Sequence, residues 1–397
     1  MGTIKDKVAI VGMGCTSFGE HWDKSVYDLI IEAAYEAFED AGIEPNDVQA
    51  AWFSTDHSKE FLSPGGNMLS GPLKLRNIPI TRVENACASG HDAIRNAAFA
   101  IASGMYDIVL VLGAEKLKDT GFGGLGTGRG LHPVFEIRRT APGTFALLAT
   151  RKFYAYGISP DEGKRFLAKI AVKNHYNGAR CPKAHLRREV SLEEVLQAPI
   201  VAWPLGLFDC CGNSDGAAAA ILVRGELARN FRKDPIYLKG VGLSMDSMLP
   251  VNRPRFDWLG FEANRVAAKQ AYEQAGIRNP RKELDIAEVH DCFTITELTI
   301  YEDLGFSPAG GAVLEDIESG AFTLEGDLPV NADGGLKAFG HPIGASALRM
   351  TYEVYKQLQG KAELPERQLK APRLGLSHTL GGPPQVAAVA IFGNELG

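Results

Sequence analysis

The chain has 397 residues, 45% of them hydrophobic, and a net charge of −6. That length exceeds one small domain and implies two or three domains or one large duplicated architecture. The acidic balance argues against a nucleic-acid partner, and the apolar runs DIVLVLG and GAAAAILV fall well short of the ~20 residues of a membrane span.

The opening, MGTIKDKVAIVG, passes almost at once into a strand pattern, without the charged-then-apolar leader of a secreted chain. The ending, FGNELG, is not a Ser-Lys-Leu peroxisomal address. Six cysteines, at 15, 87, 181, 210, 211 and 292, form no C-x-x-C pair and no disulfide framework, so a reducing, cytoplasmic location is expected. VGMGCTSFG after the first strand has Gly12 and Gly14 but Ser17 where a dinucleotide fingerprint needs its third glycine, which excludes a nicotinamide site. Val26, Leu29, Ile30, Ala33, Ala37 and Phe38 then recur at helical spacing, with Gly42 as the stop.

VENACASGHDAIRN, residues 83–96, places Cys87 where a strand hands over to a helix. It is not the G-x-[SC]-x-G elbow of an α/β-hydrolase. Ala86, Ala88, Ser89 and Gly90 permit close backbone approach, and a helix N-terminus offers unpaired N–H groups and partial positive charge. That setting predicts a stabilised thiolate, with a pKa below the usual ~8.5, and N–H donors for an oxyanion. A small, inert core cysteine is the competing reading.

The stretch 119–207 reads as an insertion. It begins with the glycine-dense TGFGGLGTGRG, which lacks the GK[ST] of a P-loop, and it contains a helical pattern around 159–179. Residues 116–188 carry fifteen Lys/Arg against four Asp/Glu, which fits either a solvated surface or a face that meets a phosphorylated ligand.

Internal similarity is the strongest signal. AFEDAGI (37–43) returns as AYEQAGI (271–277), CASGHDAIR (87–95) aligns without a gap on HPIGASALR (341–349), and GAAAAILV (216–223) on QVAAVAIF (385–392). Three echoes in one order predict two homologous α/β halves, about 1–232 and 233–397. The repeat superposes Cys87 on His341, each expected in the first turn of an equivalent helix, where a thiol and an imidazole would form a nucleophile–base pair. EVHDCFTITEL places His290 and Cys292 just past a strand end, with alternation aiming both side chains one way. No further Cys or His clusters near them in sequence, so no metal is expected. SHTLGGPP adds His378 and Gly381, either as cleft lining and oxyanion donor or as supporting structure.

With VAIVGMGCTSFG, NACASG, GNSDGAAAAILV, EVHDCF, GGLKAFGHPIGASALRM and SHTLGG in order, the chain resembles a thiolase over nearly its whole length, in the branch of sterol carrier protein-x and archaeal-type acetyl-CoA acetyltransferases. The resemblance implies an α/β thiolase fold, two duplicated halves in a five-layer αβαβα arrangement with an inserted loop domain. The halves would be 1–118 with 208–232 and 233–397, and 119–207 the loop domain contacting coenzyme A. It implies thiolytic cleavage of a 3-oxoacyl-CoA, or the reverse condensation, with coenzyme A as co-substrate and no permanently bound cofactor. Cys87 matches the family's nucleophile, His341 the Gly-His-Pro base, and His290 stands where many thiolases place an oxyanion-binding Asn. The second cysteine of a C-x-G block is missing, since Thr379 precedes Leu380 and Gly381; Cys292 is the candidate for its acid/base role, with His378 as alternative. A homodimer is implied, and a small zinc-ribbon/OB-fold protein often pairs with this branch. An aromatic or branched substrate such as benzoylsuccinyl-CoA is a second reading. A third is retro-aldol cleavage of steroid side-chain thioesters, whose enzymes tend to lack the nucleophilic cysteine.

Overall fold

The computed structural model describes residues 3–56, 66–118, 140–247, 255–382 and 385–397; the glycine-dense run at 120–130 lies outside them. The strands are β1 (Val8–Cys15), β2 (Ala50–Ser54), β3 (Ile80–Val83), β4 (Ile108–Glu115), β5 (Ile200–Ala202), β6 (Leu205–Gly206), β7 (Gly216–Arg224), β8 (Ile236–Met245), β9 (Ile286–Glu288), β10 (Leu374–Gly381) and β11 (Val386–Gly393). The helices of the first part are α1 (Val26–Ala41), α2 (Asn67–Leu73), α3 (Ser89–Ala102), α4 (Ala141–Tyr156), α5 (Pro160–Ala179), α6 (Leu192–Gln197) and α7 (Ala228–Phe231). Those of the second are α8 (Glu262–Ala275), α9 (Pro280–Glu283), α10 (Thr294–Asp303), α11 (Ala312–Glu318), α12 (Gly335–Ala338) and α13 (Ile343–Leu358).

Nine strands form one mixed sheet in the order β3-β2-β4-β7-β1-β8-β11-β10-β9. Read outward from the short β1–β8 junction, β1-β7-β4-β2 on one side is matched by β8-β11-β10-β9 on the other. The duplication is therefore a symmetry of the sheet, with GAAAAILV and QVAAVAIF in equivalent places. β2 runs parallel to β3 and β4, and β9 parallel to β10; the remaining pairings are antiparallel.

Strand alternation builds the layers. Along β7, Ala217, Ala219, Ile221 and Val223 join the core beneath α1, while Ala218, Ala220 and Leu222 face a central core filled by α3 and α13. Along β11, Ala387, Val389 and Ile391 turn toward α8, and Ala390 and Phe392 toward the centre. α13 packs on β4 and β7 of one half and on β10 of the other, so the two halves of the sheet enclose the two middle helices. That is the five-layer order of the thiolase fold.

The predicted helix ends hold: Gly42 (φ 69°) and Gly276 (φ 82°) cap α1 and α8. Gly12 and Gly14 serve packing. A Cβ would lie 2.4 Å from the Ala37 carbonyl oxygen at the first and 2.1 Å from that of Ala33 at the second, so their absence of side chains lets β1 press on α1.

α4, α5, α6 and the β5–β6 hairpin lie within the segment read as an insertion, and α4 and α5 pack on α10, with α5 also on α11 and α12. The basic excess of 116–188 has a third explanation that local charge counting misses. Lys152 pairs with Glu302 and Lys164 with Asp209; Lys169 lies 2.6 Å from Glu318, Lys173 2.8 Å from Glu297 and Lys183 2.7 Å from Glu36. Each of these carboxylates lies outside the basic segment, and the pairs tie it to both halves.

The two middle helices touch through small residues. A Cβ on Gly90 would lie 2.7 Å from the Ala347 Cβ and 3.2 Å from the Gly344 carbonyl oxygen. Gly90→Ala should lower stability by about 1–3 kcal/mol through overpacking, and adding Ala347→Gly should recover most of the loss. Chemical denaturation of the single and double variants checks this; equal losses in both would place the strain elsewhere.

Candidate active site

Cys87 and His341 do not occupy helical first turns. Each sits two residues ahead of its helix, Cys87 before Ser89 of α3 and His341 before Ile343 of α13. Each follows a residue of positive φ, Ala86 at 48° and Gly340 at 118°. An alanine in that region is strained and persists only where surrounding contacts hold it. Here the Ala86 N–H donates to Glu84 Oε1 at 2.7 Å, and the Ser89 N–H donates to the Ala86 carbonyl at 3.1 Å. Gly381 closes over the same turn, since a Cβ there would lie 2.9 Å from the Asn85 carbonyl oxygen. Two equivalent elbows thus bring a thiol and an imidazole together.

β9 delivers the third group. The Cys87 Sγ and one ring nitrogen each of His290 and His341 all lie within 4.8 Å of one another. The two rings meet edge to face, with centroids 5.2 Å apart. The tautomer of His341 follows from its neighbour. Ser346 Oγ donates to the Pro342 carbonyl at 2.9 Å, so at 2.8 Å it accepts from His341 Nδ1–H. His341 Nε2 then carries the lone pair, and it is buried without a hydrogen-bond partner. His290 Nδ1 is also buried and unpartnered.

The expected thiolate is not the resting form of Cys87. Burial pushes its thiol pKa well up, and the Asp56 carboxylate adds to the shift. Removal of the sulfur from water outweighs the partial charge at the start of α3. Burial also drives His341 down to about 3, with the Arg349 guanidinium acting the same way. Both shifts favour a neutral thiol beside a neutral imidazole.

Cys292 lies 3.5 Å from Thr296 Oγ1, and its thiol is likewise raised by burial. Cys87 and Cys292 are near enough for a charge on one to raise the pKa of the other. His378 instead turns its Nε2 to Asn264 Oδ1 at 3.1 Å, and burial lowers it to about 3.

Several cleft residues escaped the sequence reading. Asp291, between His290 and Cys292, accepts from Leu336 N at 2.5 Å and Lys337 N at 3.3 Å, and from Asn174 Nδ2 at 2.8 Å. It fixes α12, which leads into Gly340 and His341; burial raises its carboxyl to about 7. Lys337 is fully buried, with no partner for Nζ among the described residues, and its charge favours ionised Cys292. Cys211 donates its N–H to the Cys292 carbonyl at 2.9 Å. Beneath lies an ion cluster in which Arg349 Nη1 contacts Glu288 at 3.0 Å and Asp333 at 2.5 Å. Only Asp291 carried a signal, its position inside HDCF; the others depend on chain crossings.

The N-terminal thiolase domain is matched over residues 8–124 and the thiolase C-terminal domain-like family over 251–394. The chain belongs to the thiolase family. It is 37% identical to an acetyl-CoA acetyltransferase of Methanothermobacter thermautotrophicus over 97% of this chain and 99% of that one. To the benzoylsuccinyl-CoA thiolase subunit BbsB of Thauera aromatica it is 33% identical, over 96% of each. Its fold superposes on the Ltp2-ChsH2(DUF35) aldolase with a TM-score of 0.83, at 24% identity and 99% coverage of both chains. Family and fold together define an acyltransferase that carries out thiolase chemistry.

Among the described residues five buried histidines, His91, His175, His290, His341 and His378, set an acid limit on stability. His91, bonded to Thr379 Oγ1 at 2.8 Å and Ser377 Oγ at 2.7 Å, is lowered by burial from 6.5 to about 3. A depressed imidazole is neutral when folded but takes up a proton on unfolding below pH 6.5, so its contribution is lost as pH falls from 6.5 toward 3. His91→Gln should flatten the slope of unfolding free energy in that window by up to about 1.4 kcal/mol per pH unit. Urea titrations at several pH values measure it, and an unchanged slope would place a charged His91 in the fold.

Proposed function

We propose that the chain is an acetyl-CoA acetyltransferase type thiolase that cleaves or forms a short 3-oxoacyl-CoA through an acyl-Cys87 intermediate. The observation that carries this reading is the meeting of one thiol and two neutral imidazole nitrogens within 4.8 Å. The reading is supported by the greater identity to the acetyl-CoA acetyltransferase, 37%, than to BbsB, 33%. Aldol cleavage needs no thiol nucleophile, and Cys87 in the cleft favours acyl transfer over it.

As the sulfur attacks the keto carbon, the Cys87 proton passes to His341 Nε2. His290 donates to the developing oxyanion. The carbon–carbon bond breaks, and the acetyl-CoA carbanion takes the Cys292 proton. Incoming coenzyme A returns a proton to Cys292, its sulfur displaces the acyl group, and protonated His341 restores the Cys87 thiol. Lys337 steadies the transient Cys292 thiolate. His378, turned to Asn264, and Gly381, over the Cys87 elbow, support the cleft walls.

We also propose the division into 1–118 with 208–232, 119–207 and 233–397, with the loop domain receiving coenzyme A. A homodimer and a zinc-ribbon/OB-fold partner extend the reading. For the partner, support comes from the two components named in the Ltp2-ChsH2(DUF35) assembly and from BbsB being called a subunit. A cytoplasmic location is supported by six free cysteines.

Cys87→Ser should lower thiolysis of acetoacetyl-CoA at least ~10³-fold with the fold intact. Mass spectrometry of the wild type with acyl-CoAs should find the acyl group on Cys87, and an acyl group on any other residue would overturn the assignment. Cys292→Ala should slow the carbon–carbon step by ~10²–10⁴-fold while leaving acylation of Cys87 by acetyl-CoA much less affected. Equal loss in both half-reactions would return the acid/base role to another group.

A further inference from the structure

We propose that Cys87, His290 and His341 also form a binding site for a soft divalent cation, with Zn²⁺ the best match. The site would switch the enzyme off by occupying its nucleophile. The three donors are of the type zinc prefers, one sulfur and two imidazole nitrogens, and they lie within 4.8 Å of one another. Tetrahedral zinc, with bonds of about 2.0–2.3 Å, holds its donors roughly 3.3–3.7 Å apart, so closure by about 1–1.5 Å suffices.

A second observation points to a ligand independently of this spacing. Among the described residues, His341 Nε2 and His290 Nδ1 are buried with no hydrogen-bond partner, an arrangement that costs free energy unless something accepts the lone pair or proton. The Nδ1–H of His341 donates to Ser346 Oγ at 2.8 Å, which fixes the ring with Nε2 as its free donor atom. Metal-binding histidines are characteristically oriented in this way by a hydrogen bond from the other nitrogen. Cys87 itself is half-buried.

The exchange balances simply. The cation binds the Cys87 sulfur and the two nitrogens, and the thiol proton leaves to solvent, one per cation. Metal and acyl group use the same sulfur and exclude each other: acylated enzyme holds no cation, and loaded enzyme has no nucleophile. The inference rests on the placement of Cys87 described above, but not on its being acylated in turnover.

Co²⁺ added to the purified full-length protein is the probe, with Zn²⁺ as competitor. The expected result is one Co²⁺ per chain, with a near-ultraviolet sulfur-to-cobalt band, tetrahedral visible bands, release of about one proton, and bleaching by one equivalent of Zn²⁺. Cys87→Ser, or prior alkylation of Cys87, should abolish the sulfur band. His290→Gln should weaken binding at least tenfold. Ser346→Ala, which loosens the His341 ring without touching a ligand, should weaken it about 10–100-fold, with circular dichroism reporting the fold. A sulfur band that survives in Cys87→Ser, or the absence of any band in folded wild type, would overturn the proposal. Acyl-Cys87 measured on the same preparation separates the two readings. Acylation without cobalt binding would defeat the metal site alone, and cobalt binding without acylation would defeat the thiolase assignment of Cys87 alone.

Discussion

The structure depends on the crossing of α3 and α13 at Gly90 and Gly344. The helices can approach so closely only where a side chain is absent: a Cβ at Gly90 would lie 2.7 Å from Ala347 Cβ and 3.2 Å from the Gly344 carbonyl oxygen, and one at Gly344 would lie 2.5 Å from the Ser54 carbonyl oxygen at the end of β2. The glycines are equivalent positions of a duplicated unit, so their contact is a symmetry contact. The elbow ahead of each helix is carried to the same place. The cleft is the point where the two halves of the chain meet, and its thiol and imidazole are one position of the repeat in two chemical versions.

Burial then decides how these groups behave. In water a thiol near a helix start gains from the partial charge there, and an imidazole is half protonated near neutrality. Inside the middle layers both charged forms lose hydration, and the thiol pKa moves up as the imidazole moves down. Both shifts disfavour an ion pair between them at rest. A neutral pair of this kind limits side reactions with solvent oxidants, since the thiolate is the reactive species. Its cost is a nitrogen lone pair, that of His341 Nε2, with no hydrogen-bond partner among the described residues.

Around the cleft, charged groups hold the loops in register. Asp291 gathers the N–H groups of α12 and reaches Asn174 of α5, while Arg349 joins Glu288 of β9 to Asp333 of the loop before α12. Removing one partner would leave an uncompensated buried charge, which is why such clusters act as rigid joints. Lys152, Lys164, Lys169, Lys173 and Lys183 extend the same principle outward, each set against a carboxylate from outside the segment 116–188.

By itself the sequence determined the duplication, the order of the blocks and the identity of Cys87, His290, Cys292 and His341 as chemically unusual residues. Those features are written in local pattern: repeated heptapeptides, helix stops at Gly42 and Gly276, and strand runs of alternating partners. The tertiary structure decided what depended on distance through space. Gly12 and Gly14 were set aside as a phosphate loop for want of a third glycine, but their role in letting β1 press on α1 shows only in the fold. The basic stretch 116–188 looked exposed until its lysines were seen to meet Glu36, Glu297, Glu302 and Glu318. Cys87 was expected to be ionised because a helix start is legible in sequence, whereas the burial that reverses its pKa comes from residues hundreds of positions away. Lys337, Cys211 and Ser346 gave no signal, because a lone Lys, Cys or Ser acquires a role only when another segment is folded against it.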